Sequence, residues 1–271
     1  MSRLGMADLG VATMNDMRDH ATMIASIDPT VPLVADADTG YGGRAFFSLL
    51  LHLSLSARTF TLTEQGPLMV GRTTAAYINA NVAAFHLEDQ VVNKRCGHLK
   101  NKALVSPETY ISRIRAASTV RSQLGRDIVI IARTDALASL GYDEALSRLK
   151  AAVEAGADVA FLEGVRSKEE AVKFCKEMAG VPCLYNCVPG GVSPVLSVKE
   201  ARECGYRMII TPTLALGAVY EAVNKAYRGL MEEGDSKGNG IPVRELFESC
   251  GLDEAIEFDV KAGGKLYEHG V

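Results

Sequence analysis

Three acidic side chains stand where a few carboxylates could hold a hard cation. Asp36 and Asp38 follow the short apolar run Pro32–Ala35, within Asp36-Ala37-Asp38-Thr39-Gly40-Tyr41-Gly42-Gly43. Extended backbone turns alternate side chains the same way, so the two aspartates share a side. Glu88, with Asp89 after it, ends the next apolar run, Ala84–Leu87. Carboxylates gathered in one place repel each other unless a cation neutralises them. Oxygen-only donors with water suit Mg2+, with Mn2+ as the alternative. One aspartate alone would read as a helix cap or a rim acid. Two aspartates plus Glu88, each behind an apolar run, read as metal ligands.

The next candidate is Lys94-Arg95-Cys96-Gly97-His98. A thiol set between cations and a histidine has its thiolate favoured, which suits an acid/base or a nucleophile. The same residues also describe an exposed thiol among surface charges, and spacing does not separate the two. Arg133, in Arg133-Thr134-Asp135, follows the run Ile128–Ala132. A guanidinium there could grip a carboxylate with two parallel hydrogen bonds, or form a salt bridge to Glu88 or Glu163. Glu163 follows Val159–Leu162, and Asn186 follows Pro182–Tyr185, where its amide could hydrogen-bond an oxyanion. Each is weak alone. The weight lies in successive apolar runs that each end in a polar group.

These residues need a frame to position them. Six runs read as buried parallel strands: the five just named and Met208–Thr211. Helical signals lie between them. Ser106-Pro107-Glu108 is an N-cap, a first-turn proline and an acidic start. Tyr142–Ala155 carries Leu146, Leu149 and Val153 on one face, with Gly156 as C-cap. Ser167 with Glu170, and Ser197 with Glu200, match capping boxes. Ala218–Met231 reads as a helix. Alternating strands and helices give a parallel sheet with right-handed crossovers. No Gly-x-Gly-x-x-Gly follows the first strand, which disfavours a dinucleotide fold. Polar residues at the end of nearly every strand favour a barrel, which gathers its site there. We therefore expect an α/β chain with a (β/α)8 TIM-type barrel over residues 1–232. Only six strand units are legible, so the first two strand–helix units are expected to be missing. A helical tail, residues 233–271, follows.

Composition narrows the class. The 271 residues are 48% hydrophobic and 23% charged, with a net charge of −4, an ordinary globular balance. No Lys/Arg block marks a nucleic-acid surface. No apolar stretch approaches the roughly 20 residues of a membrane span. Six cysteines without a Cys-x-x-Cys pair read as reduced thiols. The N-terminus carries no charged-then-apolar leader, so a cytoplasmic location is expected, or a mitochondrial one if the true N-terminus lies upstream. One segment stands out: Arg44 to Gly66, rich in Leu, Ser and Phe, interrupts the Tyr-Gly loop. We read it as translated intron sequence, ahead of a genuine lineage-specific loop.

The segments DADTGYGG, LEDQ (Leu87–Gln90), KRCGH, ARTDA and FLE (Phe161–Glu163), in that order, resemble the isocitrate lyase/phosphoenolpyruvate mutase superfamily. The likeness runs from the N-terminus to about residue 232, and is strongest to the short members: methylisocitrate lyase, dimethylmalate lyase and oxaloacetate acetylhydrolase. The resemblance implies that Asp36 binds Mg2+ directly and that Asp38 and Glu88 hold its waters. It implies that Arg133 pairs with a substrate carboxylate and that Cys96 protonates the leaving carbanion. Gly97 and His98 would contact the second carboxylate, with Glu163 and Asn186 completing the polar lining. The activity implied is Mg2+-dependent cleavage of a 2-methylisocitrate-like or 2,3-dimethylmalate-like acid through a metal-stabilised enolate. The alternatives are oxaloacetate hydrolysis to oxalate and acetate, and an inactive or truncated paralogue. The cysteine in KRCGH points away from phosphonomutases. The segment Thr211–Gly217 lacks the serine that marks the hydrolases, which tilts the reading to a lyase. A small di- or tricarboxylate is the expected partner, with no nucleic acid and no membrane, in a homo-oligomer that the resemblance makes a tetramer exchanging its C-terminal helix.

Overall fold

The structure, a computed structural model, describes residues 3–41, 66–234 and 240–267. It divides into two compact units, residues 1–213 and 214–271. The segment read as an insertion, Arg44 to Gly66, lies outside the described residues except for Gly66, which precedes a helix.

The first unit is built on six parallel strands: β1 (Val34–Asp36), β2 (Ala84–Glu88), β3 (Val129–Thr134), β4 (Val159–Leu162), β5 (Cys183–Asn186) and β6 (Met208–Ile210). Their order in the sheet is their order in the chain, and the sheet curls into a half-barrel. Every neighbouring pair is parallel. All six runs expected from the sequence are strands: Val159–Leu162 coincides, and the other five shift by one or two residues at one end or both. Strands β2 and β4 are buried along their whole length, whereas the edge strand β6 is half-buried throughout. Burial of both faces is why these strands read as continuous apolar runs rather than alternating ones.

Two apolar layers sandwich the sheet. Outward residues such as Phe85, Leu87, Ile130, Ala132, Ala160 and Tyr185 join a large cluster with the helices. Inward residues, Ala84, Ile131, Val159, Phe161 and Leu184, form a smaller inner cluster with Val34, Met208 and Ile210 packed against it. The helices are α1 (Met14–Ile27), α2 (Pro67–Asn79), α3 (Pro107–Leu124), α4 (Tyr142–Glu154), α5 (Lys168–Glu177) and α6 (Val198–Cys204). The cap signals act as expected at α3, where the Ser106 hydroxyl accepts the Thr109 N–H, and at α6, where Ser197 and Glu200 form a full capping box. At α5 only half the expected box exists. Ser167 accepts the Glu170 N–H, but the Glu170 carboxylate takes the Arg166 N–H at 2.7 Å instead. All six cysteines are free.

The second unit holds α7 (Leu214–Glu233), α8 (Val243–Glu248) and α9 (Leu252–Lys261). The sequence gives Val243–Phe258 helical character. Two helices form there, because Gly251 adopts φ +86°, a left-handed conformation that ends α8 and starts α9. Among the described residues no helix is long and apolar enough to cross a membrane.

Candidate active site

Strand alternation selects the site residues. Counting from the inner-layer residues in steps of two, Val34 leads to Asp36 and Ala84 to His86 and Glu88. Ile131 leads to Arg133, Phe161 to Glu163 and Leu184 to Asn186. Each polar residue therefore lies on the inner face at the carboxyl end of its strand, where the apolar layer stops. Pairing sets Glu88 beside Arg133 and Asp36 beside His86.

Arg133 is the hub. Its Nε lies 2.9 Å from Asp135 Oδ2 and 3.3 Å from Glu88 Oε2, and its Nη2 lies 3.2 Å from Asp135 Oδ1 and 3.6 Å from Glu163 Oε2. Its guanidinium also sits over the Phe161 ring, 5.2 Å from the centroid. The salt-bridge reading of Arg133 is thus realised with both expected partners, and with Asp135 as a third. Asn186 Nδ2 donates to Glu163 Oε2 at 3.1 Å.

A second cluster surrounds Asp36. The Asp38 N–H donates to Asp36 Oδ1 at 2.7 Å, and His86 Nδ1 is 3.4 Å from the same oxygen. Lys94, its side chain buried, reaches Asp38 Oδ1 at 2.5 Å and Asp8 Oδ1 at 2.8 Å. The hydroxyls of Tyr41 and Tyr77 both donate to the Asp36 carbonyl, at 2.7 and 2.5 Å. The turn is strained to do this: Asp38 and Tyr41 adopt φ of 45° and 54°.

The electrostatics are lopsided. Burial pushes the Glu88 carboxyl well above its usual range, more than Arg133 pulls it back, and Asp135 and Asp38 add to the rise. Burial and the neighbouring Asp36 push Asp38 up to about 7 against the pull of Lys94. Burial works to raise Asp36 too, but His86, Lys94 and Arg133 outweigh it and its carboxyl ends below the usual value. Burial opposes charge on Lys94, yet the carboxylates of Asp36, Asp38, Glu88 and Asp8 hold its ammonium protonated.

Over these clusters lies the loop carrying Cys96. Its ends are drawn together by Val91 N–H to Ala103 O at 2.9 Å and by a bridge between Gln90 and Leu104. The Gln90 amide clamps Arg95 from both sides, donating to its carbonyl at 2.9 Å and accepting its N–H at 3.0 Å. Gly97 is pressed onto the site: a Cβ there would stand 2.6 Å from Arg133 Nη2 and 2.8 Å from Glu163 Cδ. Next to it, His98 Nδ1 accepts the Val192 N–H at 3.4 Å, while Gly191 leaves room for the ring. Cys96 is half-buried, and its thiol has no hydrogen bond or ion pair among the described residues.

The structure therefore brings Asp36, Asp38, Glu88, Arg133, Glu163, Asn186 and Gly97 into one continuous network, with His98 beside it. Among the described residues, no three His, Cys, Asp or Glu side chains are placed to ligate one ion together. The site is nonetheless rich in unmet acceptors. Both oxygens of Glu88, Glu163 Oε1 and Asn186 Oδ1 are buried without a hydrogen-bond partner, as is His98 Nε2. Buried polar atoms are nearly always satisfied, so such a cluster fits a hydrated hard cation and a polar ligand.

Residues absent from the sequence reading of the site complete it. Lys94, Asp135, Gln90 and Tyr41 stood inside the motifs and carried a local signal. His86 stood within the second strand run, two residues before Glu88 and on its face, whereas Lys102, Asp8 and Tyr77 carried no such signal, because only the fold brings them near.

A family profile described as phosphoenolpyruvate phosphomutase matches residues 63–231. The 2-methylisocitrate lyase of Salmonella typhimurium is 38% identical, over 91% of this chain and 76% of its own. The 2,3-dimethylmalate lyase of Eubacterium barkeri is 35% identical, over 95% of this chain and 81% of its own. A crystal structure of 2,3-dimethylmalate lyase superposes with a TM-score of 0.86 at 46% identity, covering 99% of this chain and 82% of that one. Oxaloacetate acetylhydrolase, bound to 3,3-difluorooxalacetate, superposes equally well, at 0.86 and 45% identity, over 98% of this chain and 82% of that one. The chain belongs to the isocitrate lyase/phosphoenolpyruvate mutase superfamily, alongside its carbon–carbon lyases.

Proposed function

We propose that this lyase is Mg2+-dependent and cleaves a small 2-hydroxy acid of the 2,3-dimethylmalate or 2-methylisocitrate kind. The observation that carries this reading is the cluster of unmet buried acceptors lying directly under the Cys96 loop. Asp36 would hold the metal directly, and Asp38 and Glu88 would reach it through water. Bound Mg2+ would supply Lewis-acid stabilisation of negative charge on the substrate's 2-hydroxyl oxygen as that group loses its proton and becomes the carbonyl of the keto-acid product.

The chain's own residues do the rest. Arg133 pairs with the carboxylate nearest the cleaved bond, with Phe161 and three acids fixing its plane. His98 accepts the Val192 N–H at Nδ1, which leaves an N–H on Nε2. That buried N–H is a ready donor to the substrate's second carboxylate. Asn186 is held by Glu163 with its amide oxygen unmet. Cys96 gives its proton to the carbanion released when the carbon–carbon bond breaks, and the loop around it keeps water from doing so first.

Purified chain with Mg2+ should release pyruvate or glyoxylate in a coupled assay. Oxalate release would instead support hydrolysis of oxaloacetate, a second reading to which the equal structural likeness to oxaloacetate acetylhydrolase gives support. Silence on all substrates, with no heat on calorimetric titration of Mg2+, would sink both. Cys96→Ser should lower turnover by about a hundredfold or more while metal affinity stays unchanged. The finer expectation of a homo-oligomer draws support from α7, whose Val219, Tyr220, Val223 and Tyr227 are exposed. Light scattering would read it.

A further inference from the structure

We propose that Lys102 is the latch of the Cys96 loop: a positioning residue that ties the loop's tip to the end of β3 and sets the charge left on Arg133. The proposal rests on the reading of Cys96 and Arg133 given above and adds the group that couples them.

Lys102 lies at the returning end of the loop, just after Asn101, whose φ is 60°. Its side chain is only 4% exposed, which is unusual for a lysine unless its charge is matched. It is matched twice. Nζ donates to the Gly97 carbonyl at 2.6 Å and to Asp135 Oδ1 at 2.6 Å. Gly97 is the residue pressed against Arg133 and Glu163, and Asp135 is the acid closest to Arg133. One ammonium therefore spans the loop and the strand end beneath it. Several holds act at the loop's base: Gln90 on Arg95, Val91 on Ala103, the Gln90–Leu104 bridge, and Lys94 on Asp38 and Asp8. Those fix where the loop begins and ends. At the tip, the Val192 N–H reaches His98 Nδ1 at 3.4 Å, and the Lys102 bond to Gly97, at 2.6 Å, is the short and charged hold.

The anchor is itself rigid. Asp135 is fully buried, and its N–H donates to Asp89 Oδ1 at 2.9 Å. Burial pushes the Asp135 carboxyl up, but Arg133 and Lys102 together outweigh it and keep it ionised. Because Lys102 and Arg133 Nη2 share Oδ1, Lys102 draws off part of the Asp135 charge. Arg133 is then less fully neutralised and keeps positive charge for an incoming carboxylate. Without Lys102, Asp135 would pair with Arg133 alone and the tip would lose its charged hydrogen bond.

The test uses two readouts on the full chain. Iodoacetamide, with mass mapping of all six cysteines, reports the exposure of Cys96 without any need for turnover. In Lys102→Met, Cys96 should alkylate about tenfold faster, as expected for loss of a hydrogen bond to a charged donor, while Cys183 and Cys204 stay protected. Lys102→Arg, which can keep both bonds, should stay within about threefold of the parent. In the lyase assay, Lys102→Met should lower kcat and raise KM, and Lys102→Arg should restore most of both, with Mg2+ affinity equal in all three. Unchanged Cys96 alkylation in Lys102→Met overturns the latch, whatever the turnover. Faster alkylation of all cysteines, or equal acceleration in both variants, overturns it as well, since that marks general loosening. If the parent shows no lyase activity, the proposed function fails, and the alkylation series still decides the latch.

Discussion

Glu88 and Asp89 are adjacent acids, both fully buried, with opposite fates. Glu88 faces inward, and neither of its oxygens accepts a hydrogen bond. Asp89 points outward into a set of donors: the Thr134 hydroxyl at 2.5 Å, the Asp135 N–H at 2.9 Å and Arg148 Nη1 at 3.2 Å. Arg148 in turn donates to the Val105 carbonyl at 2.9 Å, so Asp89 fastens β3 and α4 to the segment after the Cys96 loop. Burial raises the pKa of both. Burial of a carboxylate therefore does not mark a site. What separates the two is whether the protein itself meets the group's hydrogen-bonding capacity.

The sharpest way to break this contrast is at Asp89. Asp89→Ala leaves the buried Thr134 hydroxyl and Asp135 N–H unanswered and Arg148 with Glu144 as its remaining carboxylate, and should cost about 3–5 kcal/mol of stability by urea unfolding. A loss under about 1 kcal/mol would show that the pair is not a structural fastening. Glu88→Gln should do the reverse. It keeps the side chain's shape, and Arg133 retains Asp135 and Glu163 as partners, so the unfolding midpoint should stay within a few degrees of the parent. Turnover should fall by about a hundredfold, near 2.7 kcal/mol of barrel-mouth catalysis. A Glu88→Gln chain that unfolds early but works normally would place Glu88 with Asp89, outside the site.

A smaller effect probes the strained Asp36 turn, where two phenols serve one carbonyl. Tyr77→Phe should destabilise by roughly 1 kcal/mol, the ordinary worth of one hydrogen bond, because Tyr41 still serves that carbonyl. The double replacement with Tyr41→Phe should exceed the sum of the singles and weaken Mg2+ binding by calorimetry. Strict additivity would show the two hydroxyls to be independent.

Much of this was legible along the chain. Strands of buried parallel sheet are continuous apolar runs, so all six could be read, and so could the polar residues that end them. Capping at Ser106 and Ser197 was legible because a cap is a contact across three residues. The same pattern misled at Ser167, where Glu170 turned to a competing N–H one residue earlier. Gly251 was a local break hidden by apolar residues on either side.

By itself, the sequence determined which residues stand at the strand ends and which face they share, because an extended strand alternates its side chains with a period of two. Only the tertiary structure decided which of those groups are answered and which are left open. Lys102 meets Asp135 from 33 positions away, and His98 meets the Val192 N–H from 94. Such contacts depend on strand pairing and on loop packing, and on a match of charge inside a dry interior that no local spacing encodes.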